Sequence, residues 1–196
     1  QADLLITSGR YFRQSKNEEA QAELPVGTSA EFDDLRAWRI ERGLSPQPDI
    51  AVFSSSLDVP VSAINRYSDR NVYLITGSTA DSQKLEKITA RSHTQVISCG
   101  RQGHVDASLL RDKLKQLGYR RVYAIAGPAV LHTLLLGNAL DRLYHTTAHC
   151  LLGGTKFDTF VWGPQLDPAV CMPLRAMYLD RHAPAGAGQT LAVYGQ

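Results

Sequence analysis

Apolar residues in this chain fall into short, β-branched runs that stop at small or hydroxyl residues, with helical spacings between them. Asp3-Leu4-Leu5-Ile6-Thr7 reads as a buried strand ending at Ser8-Gly9. Ile50-Ala51-Val52-Phe53 runs into Ser54-Ser55-Ser56, and Asn71-Val72-Tyr73-Leu74-Ile75-Thr76 into Gly77-Ser78. Thr94-Gln95-Val96-Ile97-Ser98 ends at Cys99-Gly100. Arg121-Val122-Tyr123-Ala124-Ile125 reads as a further buried strand, closed by Ala126-Gly127-Pro128-Ala129 and followed by a leucine-rich helix.

Between these runs, residues 31–42 carry Phe32, Leu35 and Trp38 at three-residue spacing, with Gly43 as the stop, and predict a helix. Residues 81–90 read as helical. Asp106 is placed to cap a helix over 107–117 that Gly118 ends. The polar stretch 13–30 reads as loop, and Ser45-Pro46-Gln47-Pro48 as a stiff connection.

After Asp141 the pattern changes. Residues 140–147, 159–162, 172–180 and 189–194 read as strands separated by glycine- and proline-rich turns, an antiparallel addition at the sheet edge. The expected fold is α/β: a mainly parallel central sheet flanked by helices, with antiparallel C-terminal strands. No repeat or linker interrupts the pattern, so residues 1–196 are expected to form one domain.

Composition narrows the function classes. The chain is 20% charged and 43% hydrophobic with net charge +2, ordinary for a globular protein. No basic run reaches the length of a nucleic-acid patch, and no apolar stretch approaches the ~20 residues that span a bilayer, so neither nucleic acid nor membrane is an expected partner. Cys99, Cys150 and Cys171 are few, odd in number and widely spaced, which suits a reducing cytoplasm rather than a disulfide framework. His145, His149 and Cys150 lack a further ligand at recognisable spacing, and no metal is expected. The sequence has no Gly-x-Ser-x-Gly elbow for a hydrolase. The standard dinucleotide and P-loop signatures are absent as well.

The strand endings carry the candidate chemistry. Thr7-Ser8-Gly9, Ser54-Ser55-Ser56, Thr76-Gly77-Ser78 and Ala126-Gly127 are small or hydroxyl-bearing. In open α/β sheets the ligand crevice lies at the carboxyl ends of the strands. Proline suits the first position of a helix, glycine lets a ligand approach the backbone, and the first-turn N–H groups favour an anion such as phosphate.

The ordered set of motifs resembles the reductase domain of bacterial riboflavin biosynthesis, which is similar in fold to dihydrofolate reductase. Residues 2–9 resemble the opening strand and turn of that domain's cofactor half, and residues 47–54 its next strand. Residues 122–130 match the segment where the family usually has Glu-Gly-Gly-Pro. Ala139-Leu140-Asp141-Arg142-Leu143-Tyr144 matches its Leu-Val-Asp-Glu-Leu stretch, and Cys150-Leu151-Leu152-Gly153-Gly154 its Leu-Leu-Gly turn.

The resemblance implies NADPH lying across the strand ends. Thr7, Ser8 and Gly9 would sit by the cofactor's phosphate or nicotinamide side, and Ser54 and Ser55 near the adenosine end. Ala126, Gly127, Pro128 and Ala129 would bring backbone to the pyrophosphate. Thr76, Gly77 and Ser78 are further candidates on a loop that varies in the family. Arg10 occupies the place of a cofactor-phosphate arginine, and a planar guanidinium suits a 2′-phosphate. The implied substrate is a ribosylated aminopyrimidine phosphate, as for a 5-amino-6-(5-phosphoribosylamino)uracil reductase, and the implied assembly a homodimer. No catalytic residue is assigned.

The chain departs from the family at four places. Ile125 and Ala126 replace the glutamate and first glycine, and Arg142 replaces the glutamate of the Asp-Glu-Leu stretch. No Asp-Asp-Pro segment stands near Ser15-Lys16-Asn17, and the family's first strand and helix precede the point where this sequence begins. The alternative expectation is a divergent, non-catalytic nucleotide-binding member of the same fold.

Overall fold

The computed structural model describes residues 1–15, 27, 29–78, 81–90, 92, 94–101, 103–155 and 159–195. Five strands run parallel in one sheet: β1 (Leu4–Ser8), β2 (Asp49–Phe53), β3 (Val72–Thr76), β4 (Gln95–Ser98) and β7 (Val122–Ala124). Their order is β4-β3-β2-β1-β7, with Leu4 beside both Asp49 and Val122. The chain therefore builds outward from β1 in one direction, then returns to lay β7 on the other side of β1. A two-stranded hairpin, β5 (Gly100–Arg101) and β6 (His104–Val105), follows β4 directly.

Successive strand residues point to opposite faces of a sheet, and each face has its own helices. Leu4, Ile6, Ala51, Tyr73, Ile75 and Ile97 pack with Leu110 and Leu114 of α5 (Ala107–Gln116) and Val130 and Leu134 of α6 (Pro128–Leu136). Ile50, Val52, Val72 and Leu74 pack on the other face. Their partners there are Phe12 of α1 (Gly9–Ser15), Ala63 and Ile64 of α3 (Val61–Asn65) and Ile88 of α4 (Ser82–Thr89). The apolar strands β1, β2 and β3 are thus buried on both faces, as in parallel sheets generally.

The predicted helices at 31–42, 81–90 and 107–117 appear as α2 (Asp33–Glu41), α4 and α5. Asp106 caps α5 as expected, its carboxylate accepting from the N–H groups of Ser108 and Leu109 at 2.9 and 3.2 Å. Asp81 caps α4 in the same way.

Four expectations are corrected. Residues 13–15, expected to open the loop, instead complete α1, because Phe12 at 0% exposure gives that helix an anchor in the core; most of the rest of the expected loop, residues 16–26 and 28, lies outside the described residues. The strand around Tyr123 is not buried: β7 pairs only with β1, at the sheet edge, and leaves Ile125 57% exposed. Residues 159–162 form no strand, since the Trp162 N–H donates to the Pro128 carbonyl of a helix at 3.3 Å rather than to a strand. The antiparallel strands β8 (Arg142–Ala148), β9 (Leu174–Asp180) and β10 (Gln189–Gly195) make a separate sheet, ordered β8-β10-β9, instead of extending the parallel one.

Candidate functional site

Polar groups gather at both ends of the parallel sheet. At the amino ends, the Asp3 carboxylate accepts from the N–H groups of Arg120 and Arg121 at 2.8 and 3.0 Å. The Tyr119 hydroxyl donates to Asp49 at 2.5 Å and lies 3.1 Å from the Tyr73 hydroxyl. Burial, reinforced by the bond to Asp49, pushes the Tyr119 phenol well above its usual range. At the carboxyl ends, the hydroxyls of Ser54 and Thr76 are buried without any partner. Buried polar groups are normally hydrogen-bonded, so orphans call for an explanation.

All five strands run the same way, so their closing turns at Gly9, Ser54, Gly77, Gly100 and Gly127 share one edge of the sheet. The strand order reverses at β1. There α1 leaves toward one face while α6, following the adjacent β7, covers the other. Divergence of this kind opens a crevice at the strand ends. The crevice here has a volume of about 600 Å³.

Eight of the thirteen residues singled out from the sequence line that crevice: Ser8, Gly9, Arg10, Ser54, Ser55, Gly127, Pro128 and Ala129. The other five do not. Thr7 is buried inside β1, Ala126 is exposed beside the crevice, and Thr76, Gly77 and Ser78 close β3 farther along the edge. Ser54 lines the crevice at 6% exposure, its N–H donating to the Ile75 carbonyl at 3.0 Å.

The opposite wall is the start of α6. Gly127 is its N-cap at φ −74°, without a side-chain cap, and Pro128 begins the helix. A Cβ at Gly127 would meet nothing within 4 Å. The positive end of the helix dipole is therefore open to the crevice.

Six lining residues were not among the sequence candidates: Phe53, Ser56 and Val130, next to candidates, and Arg13, Thr159 and Trp162. Arg13, on α1, donates to the Asp58 carbonyl at 2.8 Å, with the Asp58 carboxylate 3.9 Å away. A helical reading of residues 9–15 would have put Arg10 and Arg13 one turn apart on one face. Thr159 and Trp162 reach the crevice from a distant segment, and no local pattern marks them.

A second cavity of about 640 Å³ lies on the other side of that segment, lined largely by apolar groups including Leu135, Leu143, Phe160 and Met172. His145 stacks near Phe160 there, with ring centroids 4.6 Å apart, while His149 Nε2 lies 2.8 Å from the Thr190 hydroxyl. The two histidines therefore have separate neighbours.

The family model described as the RibD C-terminal domain matches residues 5–178. The chain belongs to the RibD C-terminal domain family. A pyrimidine reductase-like protein from Corynebacterium diphtheriae superposes with TM-score 0.71 at 18% identity, over 99% of this chain and 75% of its own. RibD from Acinetobacter baumannii aligns with TM-score 0.58 at 12% identity, over 100% of this chain and 47% of its own. The Thermotoga maritima diaminohydroxyphosphoribosylaminopyrimidine deaminase/5-amino-6-(5-phosphoribosylamino)uracil reductase gives 0.60 at 9%, over 99% and 45%. This RibD C-terminal domain chain spans less than half of each of the last two, and at these identities the likeness is one of fold. A comparison with curated proteins finds no match.

Proposed function

We propose that the protein is a reductase of the riboflavin-pathway type that uses NADPH bound across the crevice. The observation that carries this reading is the start of α6, left open at Gly127, sharing one crevice at the strand-order switch with the Arg10 and Arg13 guanidinium groups. A hydroxyl, a helix N-terminus and two guanidinium groups in one crevice fit a ligand with several phosphates. Family membership supports the same reading.

In this reading Gly127, Pro128 and Ala129 present the α6 N-terminus to the pyrophosphate, with Gly127 leaving the room it needs. Ser8 and Gly9 line the floor. Ser54 and Ser55 offer hydroxyls toward the adenosine half, and Arg10 and Arg13 supply positive charge for a 2′-phosphate. When bound, the reduced cofactor supplies a hydride. The chain's part is to hold both ligands in register and limit water. The proposed substrate is a ribosylated aminopyrimidine phosphate, whose ribose carbon is reduced to the open ribityl form.

Calorimetric titration with NADPH and NADH tests the cofactor, with NADPH expected to bind more tightly. Loss of reduced-nicotinamide absorbance in the presence of the aminopyrimidine phosphate tests the reaction. Binding without turnover would favour the non-catalytic alternative, and no binding of either nucleotide would overturn the reading.

We also infer a homodimer formed through the antiparallel sheet. Met177 and Leu179 are more than half exposed on one face of that sheet, and Tyr144 and Tyr178 on the other; apolar side chains exposed on both faces mark an interaction site. Light scattering is expected to give twice the monomer mass at micromolar concentration, reduced to the monomer by Met177→Glu. A wild-type monomer would overturn the assignment. Among the described residues no helix is long and apolar enough to cross a membrane.

A further inference from the structure

We infer that Trp162 is an aromatic wall of the crevice and stacks against a heteroaromatic ring of the bound dinucleotide. The inference rests on the cofactor reading above and adds a ligand-contacting residue that the sequence motifs do not contain.

Trp162 belongs to an irregular segment, residues 159–164, laid across the start of α6. That segment is pinned on both sides of the tryptophan. The Trp162 N–H donates to the Pro128 carbonyl at 3.3 Å. Two residues on, the Pro164 carbonyl accepts from His132 Nε2–H at 2.7 Å. His132 is a buried imidazole on an otherwise leucine-rich helix, and this bond accounts for its presence. Gly163 passes so close over the His132 ring that a Cβ there would overlap it. Within the segment the Thr159 hydroxyl donates to the Val161 carbonyl at 2.9 Å.

The segment divides its residues between two spaces. Phe160, Val161, Gly163 and Pro164 line the second, apolar cavity, whereas Thr159 and Trp162 line the crevice. Trp162 is 68% exposed although both of its flanks are fixed. An indole this exposed in the crevice lining leaves apolar surface in water, and a flat ring laid on it removes that cost.

The crevice is chemically two-sided. Both cations, Arg10 and Arg13, come from α1, and the end of β2 adds Phe53 and serines, while the indole comes from the α6 side with Thr159. A dinucleotide has the same division, with charge along its phosphates and flat rings at its ends. Base–aromatic stacking is worth roughly five- to a hundredfold in affinity per ring.

The chain's two tryptophans make the test direct. The other, Trp38 on α2, lies under the Arg42 guanidinium at 4.1 Å from the ring centroid and does not line the crevice. Oxidised NADP is the probe, because it does not absorb the indole emission. It is expected to quench emission in the wild type and in Trp38→Phe, and to leave Trp162→Phe unquenched. Trp162→Ala should weaken calorimetric affinity roughly tenfold or more, as loss of one stacked ring predicts, while Trp162→Phe, which keeps a ring, recovers part of it.

Quenching by adenosine 2′,5′-bisphosphate would assign the stacked ring as adenine. Quenching by the whole dinucleotide alone would assign it as nicotinamide. Either result supports the inference. It is overturned if the wild type binds NADP calorimetrically without a change in emission, or if Trp162→Ala binds with wild-type affinity. Absence of any calorimetric binding to the wild type overturns the cofactor reading and this inference together.

Discussion

Thr76-Gly77-Ser78 and Ala126-Gly127-Pro128 close two strands at the same edge of one sheet, yet their glycines answer to different constraints. A Cβ at Gly77 would lie 2.5 and 2.6 Å from the backbone of Gly103, so the β5–β6 hairpin occupies the space that a side chain would need. A Cβ at Gly127 would meet nothing within 4 Å, and its φ of −74° is open to any residue. Gly9 is intermediate: a Cβ there would lie 3.3 Å from the Ser54 hydroxyl and 3.4 Å from the Arg13 guanidinium. One glycine is thus required by the packing of the protein against itself. The other is left open by it. What separates them is topology, since the strand order continues past β3 but reverses between β1 and β7.

The sharpest way to break this comparison is to fill both turns with valine. Gly77→Val forces a side chain against backbone, and overpacking of this kind costs about 1–3 kcal/mol, with the upper part of that range expected here because Gly103 has no flexible side chain to yield. Thermal unfolding should move down markedly, while NADPH affinity, measured well below the transition, stays near wild type. Unchanged stability would remove the packing role of Gly77.

Gly127→Val should do the reverse. Its melting temperature should stay close to wild type, within the roughly 0.5 kcal/mol of an ordinary surface change. NADPH affinity should fall by some thirtyfold, as for loss of about 2 kcal/mol of hydrogen bonding to a charged group. A folded variant that binds NADPH normally would take the pyrophosphate away from this turn.

Ser54→Ala sharpens the contrast on a smaller scale. It deletes a buried hydroxyl that has no partner in the protein, so folding stability should hold or rise slightly. NADPH affinity should drop by roughly 1 kcal/mol, about fivefold, the worth of one neutral hydrogen bond. A loss of stability with unchanged affinity would mean that the hydroxyl serves the fold.

Cys99 reports on the filled end with the smallest effect. It is buried beside Gly100, and burial pushes its thiol up to about 11, whereas Cys150 and Cys171 are exposed. A thiol reagent at neutral pH should modify Cys150 and Cys171 quickly and Cys99 only on unfolding. In Gly77→Val the third modification should come earlier. Rapid modification of all three in the native wild type would contradict the closed packing at this end.

The locally encoded elements were the legible ones. Asp81 and Asp106 act as caps through bonds to amides two or three residues away, and Gly118 ends a helix through its own backbone freedom, so short windows of sequence suffice to place them. The apolar runs of β1, β2 and β3 could belong only to strands covered on both faces. Residues 159–162 and the β7 strand were misjudged because pairing, not composition, decides strand character and burial. Trp162 has a helix carbonyl for a partner, and β7 has a neighbour on one side only.

By itself, then, the sequence determined the parallel α/β class, most helix boundaries and the small residues that finish each strand, because these depend on spacing, capping and backbone freedom within a few residues. Tertiary structure alone decided which of those endings face one another. It filled the Gly77 turn with a hairpin, left the Gly127 turn open, buried the Ser54 hydroxyl without a partner, and brought Arg13 and Trp162 to opposite sides of one crevice. Those relations join different elements, from Gly77 and Gly103 to Arg13 and Trp162, and no local pattern encodes which residue of one element meets which residue of another.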